Sequence, residues 1–141
     1  MANPYRHLAA LRTALLADAT LAALVDVRVG LRDPWGVQDA RYPLIAIWQE
    51  ADVQAVSLPR TNDPCRVRVD AYSKVDADEA AQIYERILLV LHKQEQAINA
   101  LTSDVCVKEV RQTWNMTPSW DPRLSAWVCP TRFVVRAMTL V

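Results

Sequence analysis

A strand pattern followed at once by a helix pattern is the feature that most constrains how this chain can fold. From residue 65 to residue 72 apolar and polar side chains alternate, with Cys65, Val67, Val69 and Ala71 against Arg66, Arg68, Asp70 and Tyr72. A period of two is typical of a strand with one buried face. Apolar residues then recur every three or four positions over residues 80–91, which predicts an amphipathic helix.

Shorter patterns predict the other elements. Residues 73–78 supply cap candidates for the long helix, and the acidic side chains in its first turn, with His92 and Lys93 in its last, match the helix dipole. Adjacent Lys108 and Glu109 interrupt the alternation of another strand, which predicts a bulge or an exposed edge there. The remaining predicted helices and strands cover residues 3–16, 18–25, 43–50, 105–114 and 126–140.

The order of these elements indicates the fold class. Loops are predicted over residues 30–42, which contain Asp33-Pro34 and Trp35-Gly36, and over residues 116–125, which contain Pro118 and Asp121-Pro122. The strands are joined by loops, and one long helix lies between the first pair of strands and the second pair. This order predicts an α+β fold. We expect a mostly antiparallel sheet of about four strands, with the long helix and the N-terminal helical segment packed against it. The 141 residues fit a single domain spanning residues 1–141.

Composition excludes several classes of protein. Hydrophobic residues make up 52% of the chain, too many for a disordered chain. Sixteen basic residues balance sixteen acidic ones, so we expect no membrane partner and no sequence-specific nucleic-acid partner. The longest apolar run, residues 87–91, is far shorter than the ~18 residues of a membrane span, and the first residues lack a signal-peptide pattern. We expect a soluble protein that is not exported.

Residues that carry chemistry are scarce. The two histidines, His7 and His92, lie far apart, and no zinc-ligand spacing occurs. Only two glycines are present, which excludes the glycine-rich phosphate loops. The three cysteines are odd in number and lie in apolar or alternating segments, so they are interpreted as buried thiols of a reducing compartment. We predict no catalytic residues, no cofactor and no metal, and therefore no enzyme.

Four arginines are the candidate functional residues of the strands. Arg66 and Arg68 share one strand face, and Arg132 and Arg136 share another. Three interpretations stay open: a solvated sheet face, a subunit interface with paired charges, and a nucleic-acid surface. Thirteen of the sixteen basic residues are arginine, and five tryptophans accompany them. This usage favours protein interfaces, although the codon bias of a GC-rich genome explains it equally well.

Several segments, taken in order, carry a resemblance to a known family. They are residues 8–18 running into 21–25, the extended piece 27–29, Tyr42-Pro43 before an apolar strand, residues 67–73 leading into the helix over 80–91, Asp121-Pro122 in a loop, and the closing strand 132–136. Their order, lengths and total size resemble the tail terminator or tail-completion family of long-tailed bacteriophages, which includes tail-to-head joining proteins. The chain departs from that family in Pro118 and Trp120 of the last loop and in the few glycines of residues 30–42.

The resemblance implies a structural protein that assembles in the host cytoplasm into a ring, commonly a hexamer. The ring caps the head-proximal end of the tail tube in the virion, stops tube polymerisation, and contacts neck or head-completion proteins. Because a ring needs two different patches on each subunit, the candidate interface residues are Trp35, Arg66, Arg68, Arg132 and Arg136. Two alternatives remain: a head-side connector or adaptor, and a small α+β ligand-binding domain with a pocket lined by Trp35, Trp48 or Trp114.

Overall fold

The computed structural model describes residues 6–31, 41–50 and 64–139. Within these ranges the chain forms four helices and seven strands. In chain order they are α1 (Arg6–Leu16), α2 (Ala19–Val25), β1 (Val29–Gly30), β2 (Leu44–Gln49), β3 (Cys65–Ser73), α3 (Ala77–Leu91), α4 (Glu95–Asn99), β4 (Val105–Asn115), β5 (Ser119–Asp121), β6 (Ala126–Cys129) and β7 (Thr131–Thr139).

The α+β class is confirmed, whereas the expected number of about four strands is wrong. The described residues form one mixed sheet of seven strands. β1 and β5 have only two and three residues, too few to show a period in the sequence. The strand predicted over residues 126–140 is divided into β6 and β7 at Pro130, because proline has no N–H to donate to a ladder.

β3 lies at the centre of the sheet. It pairs with β2 along one edge, from Leu44 opposite Tyr72 to Gln49 opposite Val67. Along its other edge β3 pairs with β7 near its start and with β6 near its end. β4 pairs with β7 and β5 with β6, both antiparallel, and β1 runs parallel to β2. Five of the six pairings among the described strands are therefore antiparallel.

Helices α1 and α3 pack on one face of this sheet. The apolar positions of both helices are buried against the apolar alternates of β3 and β7, and Leu11, Ile83, Val69 and Phe133 are all fully buried in this core. Burial of a large apolar side chain contributes about 1.5–3 kcal/mol, so this layer is the main source of stability. The opposite face, which we call the outer face, carries the polar alternates of β3.

The start of α3 agrees with the sequence prediction, and its end does not. Asp76 is the N-cap, and its Oδ1 accepts a hydrogen bond from the Glu79 N–H at 2.7 Å. The helix ends at Leu91, so His92 and Lys93 lie beyond the last turn in which they were expected. Lys93 has a φ of 59°, which turns the chain sharply into α4. A helix as short as α4 shows no clear period, so its sequence does not predict it.

The bulge predicted in the 105–114 strand is confirmed. The register of β4 with β7 shifts between Val107 and Glu109 and again between Gln112 and Trp114. The loop predicted over residues 116–125 contains the short strand β5, which is a correction. The loop predicted over residues 30–42 falls mostly outside the described residues.

The three cysteines are free thiols. Cys65 and Cys129 are buried, as predicted, whereas Cys106 is half-buried. Burial raises the pKa of the Cys129 thiol to about 11, with a further contribution from the charge of Asp70. The Cys129 thiol therefore stays protonated at neutral pH.

Within residues 6–31, 41–50 and 64–139, no single helix is long and apolar enough to cross a bilayer. α1 and α2 reach that standard only as a pair, and the pair is bent by 91°.

Candidate functional site

Four side chains form a row across the outer face, one from each of four neighbouring strands. Trp48 of β2 lies opposite Arg68 of β3. Arg68 lies opposite Arg132 of β7, which in turn lies opposite Trp114 of β4. Directly opposed residues of antiparallel strands point to the same face and approach closely. We call this sequence of tryptophan, arginine, arginine and tryptophan the Trp–Arg row.

Both guanidinium groups of the row contact tryptophan rings. The Cζ atom of Arg68 lies 5.2 Å from the ring centroid of Trp48 and 5.4 Å from that of Trp114. The Cζ atom of Arg132 lies 5.0 Å from the Trp114 centroid. Separations below about 6 Å are favourable cation–π contacts, and arginine also stacks on aromatic faces. Trp114 therefore contacts both cations of the row.

Two carboxylates hold the opposed arginines in place. Arg132 donates from Nε to Oε1 of Glu50 at 2.9 Å, and the same oxygen lies 3.7 Å from Nη1 of Arg68. Arg68 donates from Nε and Nη2 to the two oxygens of Asp70, at 3.2 and 2.9 Å. Like charges directly opposite each other are destabilising. Glu50 and Asp70 offset that repulsion with one negative charge each.

Asp70 is the most buried charged side chain of this site, with 1% of its surface exposed. Its Oδ1 also accepts a hydrogen bond from the backbone N–H of Thr131 at 3.2 Å. Burial raises the pKa of Asp70 to about 6, although the neighbouring charge and hydrogen bonds of Arg68 act in the opposite direction. The cost of desolvation thus exceeds the gain from the ion pair.

The other two candidate arginines also lie on these strands, beside the row. Arg66 is exposed and lies opposite Val134 of β7. Arg136 lies opposite Glu109 of β4 and donates from Nε to its Oε2 at 2.9 Å. Glu109 also accepts from Nε of Arg111 at 2.6 Å, and this hydrogen bond is the main cause that lowers the pKa of Glu109. Arg136 therefore belongs to a second ion cluster and has a different partner from Arg68 and Arg132.

The structure brings together residues that the sequence analysis kept apart. Arg68 and Arg132 were both candidates, but their direct opposition depends on a strand register that no local pattern reveals. Glu50 and Asp70 were missed as members of the site. Trp48 and Trp114, which one alternative placed in a ligand pocket, contact the arginines of the row. Trp35 lies outside the described residues.

Two cavities of the described residues lie between the helices. One of about 260 Å³ is lined by residues of α1, α3 and α4, and another of about 380 Å³ by residues of α2 and α3. Arg86 and Leu89 line both, and neither is lined by a tryptophan. Among the described histidines, cysteines and acidic residues, no group of three or more is placed to hold a metal ion.

The chemistry of the Trp–Arg row suits contact with another protein. The side chains of Arg68 and Arg132 are partly exposed, at 22% and 28%, so a partner reaches them without unfolding the site. Tryptophan and arginine are the residues most enriched in the energetic centres of protein interfaces. Their fixed geometry also lowers the entropy lost on binding.

Comparison with known proteins gives one family and one fold. Residues 9–135 match the family model described as "Tail completion protein gp17". No curated protein sequence matches the chain. The fold is similar to that of a chain in the solved structure "Virion of native gene transfer agent (GTA) particle", with a TM-score of 0.66 over 92% of each chain. The sequence identity is 15%, so this likeness shows a shared fold alone.

Proposed function

The chain belongs to the tail completion protein gp17 family of structural bacteriophage tail proteins, and from this premise we propose that it forms a closed ring on the head-proximal end of the tail tube. The ring stops polymerisation of the tube and provides the joint to the neck or head-completion proteins. Six copies are the expected number in the ring. Residues 1–141 act in this role as one unit, without an enzymatic activity.

The observation that carries this proposal is the Trp–Arg row on the outer face. Helices α1 and α3 cover the other face of the sheet, so the outer face is the side on which the described sheet presents its charged and aromatic side chains. A ring uses a heterologous interface, in which two different patches of each subunit meet. The outer face with Arg66, Arg68, Arg132 and Arg136 supplies one patch, and the segment with Trp35 remains the candidate for the other.

Ion pairing of these arginines supports a protein partner over a nucleic acid. Arg68 and Arg132 are matched by Glu50 and Asp70, and Arg136 is paired with Glu109. Arginines and lysines bind a phosphate backbone by neutralising its charge and releasing the counterions condensed on it, and arginines already paired with carboxylates are less suited to this role. Charged pairs at a protein interface instead fix the register of the two surfaces and disfavour wrong partners.

The test is the solution mass of the purified chain over a concentration series, alone and with assembled tail tubes. We expect a closed oligomer near six copies, either free or on the tube ends, and shorter tubes of uniform length when the chain is present during tube assembly. A chain that stays monomeric in both conditions and leaves tube growth unchanged contradicts the proposal. Binding to the portal complex in place of the tube would identify a head-side connector.

Two charge-reversal variants test the proposed patch. The double variant Arg66→Glu with Arg136→Glu changes the outer face without touching the opposed pair of the row, and we expect it to lose the oligomer. Arg6→Glu is the matched control, because Arg6 lies on α1 in the helical layer, 3.8 Å from Asp104. The control should keep the oligomer. If both variants form the wild-type ring, the ring stands and the outer face is not its interface.

A further inference from the structure

The segment that follows α3 and includes α4 covers the edge of β4 that faces away from β7. β4 has eleven residues and pairs with β7 along one edge. Along its other edge, the strand pairings of the described residues include no partner strand. Residues 92–99 lie there instead and make five hydrogen bonds to the backbone of three β4 residues. We call residues 92–99 the edge guard.

At Val107, the side chain of Asn99 makes the two hydrogen bonds that a neighbouring strand would otherwise make. Its Nδ2 donates to the Val107 carbonyl at 2.9 Å, and its Oδ1 accepts from the Val107 N–H at 2.7 Å. The side-chain amide has one donor side and one acceptor side, as a peptide group does. One side chain therefore satisfies both backbone groups of Val107.

Three further groups close the next two positions. The Lys93 N–H donates to the Val110 carbonyl at 2.8 Å, and Oε1 of Glu95 accepts from the Val110 N–H at 3.0 Å. Nδ1 of His92 accepts from the Gln112 N–H at 2.9 Å. Because Nδ1 is an acceptor, a neutral His92 ring in this contact carries its hydrogen on Nε2.

The local geometry explains why these groups reach the strand. In an antiparallel edge strand, the backbone groups of alternate residues point outward. The bulge at Lys108 shifts this alternation by one residue, so that Val107, Val110 and Gln112 are among the outward positions. Within the edge guard, Glu95 and Asn99 are four residues apart in α4 and therefore lie on the same face of that helix.

We propose that the edge guard prevents a second copy of this chain from adding a strand to β4. An unpaired edge strand is a template for pairing with another chain, and proteins protect such edges by covering or charging them. β4 is the longest strand described and is rich in valine, which makes it the edge at greatest risk. The proposal goes beyond the proposed ring and depends only on the geometry of one subunit. Its consequence is that assembly proceeds through side-chain surfaces and not through this edge.

The test is a double variant, Glu95→Ala with Asn99→Ala, compared with Gln96→Ala. Alanine favours the helical conformation, so the double variant removes hydrogen bonds to β4 without weakening α4 by propensity. Gln96 is exposed on the same helix and serves as the matched control. Amide hydrogen exchange reports whether the edge is open, and light scattering across a concentration series reports association. We expect exchange at Val107 and Val110 to accelerate at least about tenfold in the double variant.

An open edge should also change the assembly state. We expect the double variant to form open-ended, concentration-dependent aggregates with intermolecular β-sheet in the infrared spectrum, while Gln96→Ala keeps the wild-type mass. Accelerated exchange with the wild-type mass at every concentration overturns the proposal, as does unchanged exchange. If the double variant does not fold, the single variant Asn99→Ala exposes the backbone of Val107, and the same exchange and light-scattering outcomes apply to it. The wild-type mass, measured in parallel, tests the ring separately.

Discussion

Arg68 and Arg132 lie directly opposite each other on β3 and β7, and one oxygen of Glu50 lies 2.9 Å from Arg132 Nε and 3.7 Å from Arg68 Nη1. The stability of the outer face therefore depends on a carboxylate that comes from a third segment of the chain, just beyond β2. This arrangement couples residues that are far apart in sequence. Substitutions at these positions should consequently have effects that do not add.

Glu50→Gln should destabilise the protein by about 1–2 kcal/mol, because it leaves two like charges opposite each other and weakens a charge-assisted hydrogen bond. In a chain that already carries Arg132→Gln, the same change should cost less, since only one cation remains. The measurement is a double-mutant cycle from urea unfolding. Glu85→Gln, at an exposed position of α3, is the control and should change stability by less than about 0.5 kcal/mol. Equal losses in both backgrounds would show that Glu50 does not couple the two arginines.

Asp70 should give the protein a component of stability that increases as the pH falls. Its pKa is about 6 in the folded chain and 3.8 ordinarily, so between these values the folded state binds more protons than the unfolded state. This contribution is fully present below pH 3.8 and is lost as the pH rises through about 6. The Asp70→Asn variant has no titrating side chain at position 70, so it should lack this pH-dependent contribution.

Urea unfolding of wild type and Asp70→Asn between pH 4 and about 7.5 tests this expectation. The stability of wild type relative to the variant should increase steadily toward acid. A difference that is independent of pH, or one that changes in the opposite direction, would refute the burial argument. Comparing the two chains at each pH removes the contributions of the other carboxylates, which are common to both.

Asp18 should show the opposite pH dependence. Its side chain caps α2 by accepting from the Leu21 N–H at 2.9 Å, and it accepts two hydrogen bonds from Arg86 of α3, at 2.9 and 2.7 Å. The hydrogen bonds from Arg86 are the main cause that lowers the pKa of Asp18. The stability from this group is therefore present above pH 3.8 and is lost as the pH falls through the lowered value.

Two substitutions separate the cap of Asp18 from its ion pair. Asp18→Ala removes both and should cost about 1–2 kcal/mol at neutral pH, whereas Asp18→Asn keeps a capping side chain and should cost less. The advantage of wild type over Asp18→Asn should shrink in acid. Asp26→Asn is the control, because Asp26 is exposed at the other end of α2. Thermal or urea unfolding gives the result, and identical losses for alanine and asparagine would show that the ion pair, not the cap, carries the effect.

The sequence by itself determined the elements whose periods are local and long. The strict alternation of residues 65–72 and the helical spacing of residues 80–91 correspond to β3 and α3, and the interruption at Lys108 and Glu109 corresponds to the bulge of β4. These elements were predictable because the buried face of each is recorded in consecutive residues. The α+β class followed from their order.

Only the tertiary structure decided what lies next to what. The opposition of Arg68 and Arg132, the position of Glu50 between them and the role of Trp114 all depend on the register of four strands from separate parts of the chain. The edge guard likewise depends on where α4 meets β4. Short elements such as β1, β5 and α4 carry too few residues to show a period. Register and packing arise from the simultaneous burial of all these faces, and no local pattern contains that information.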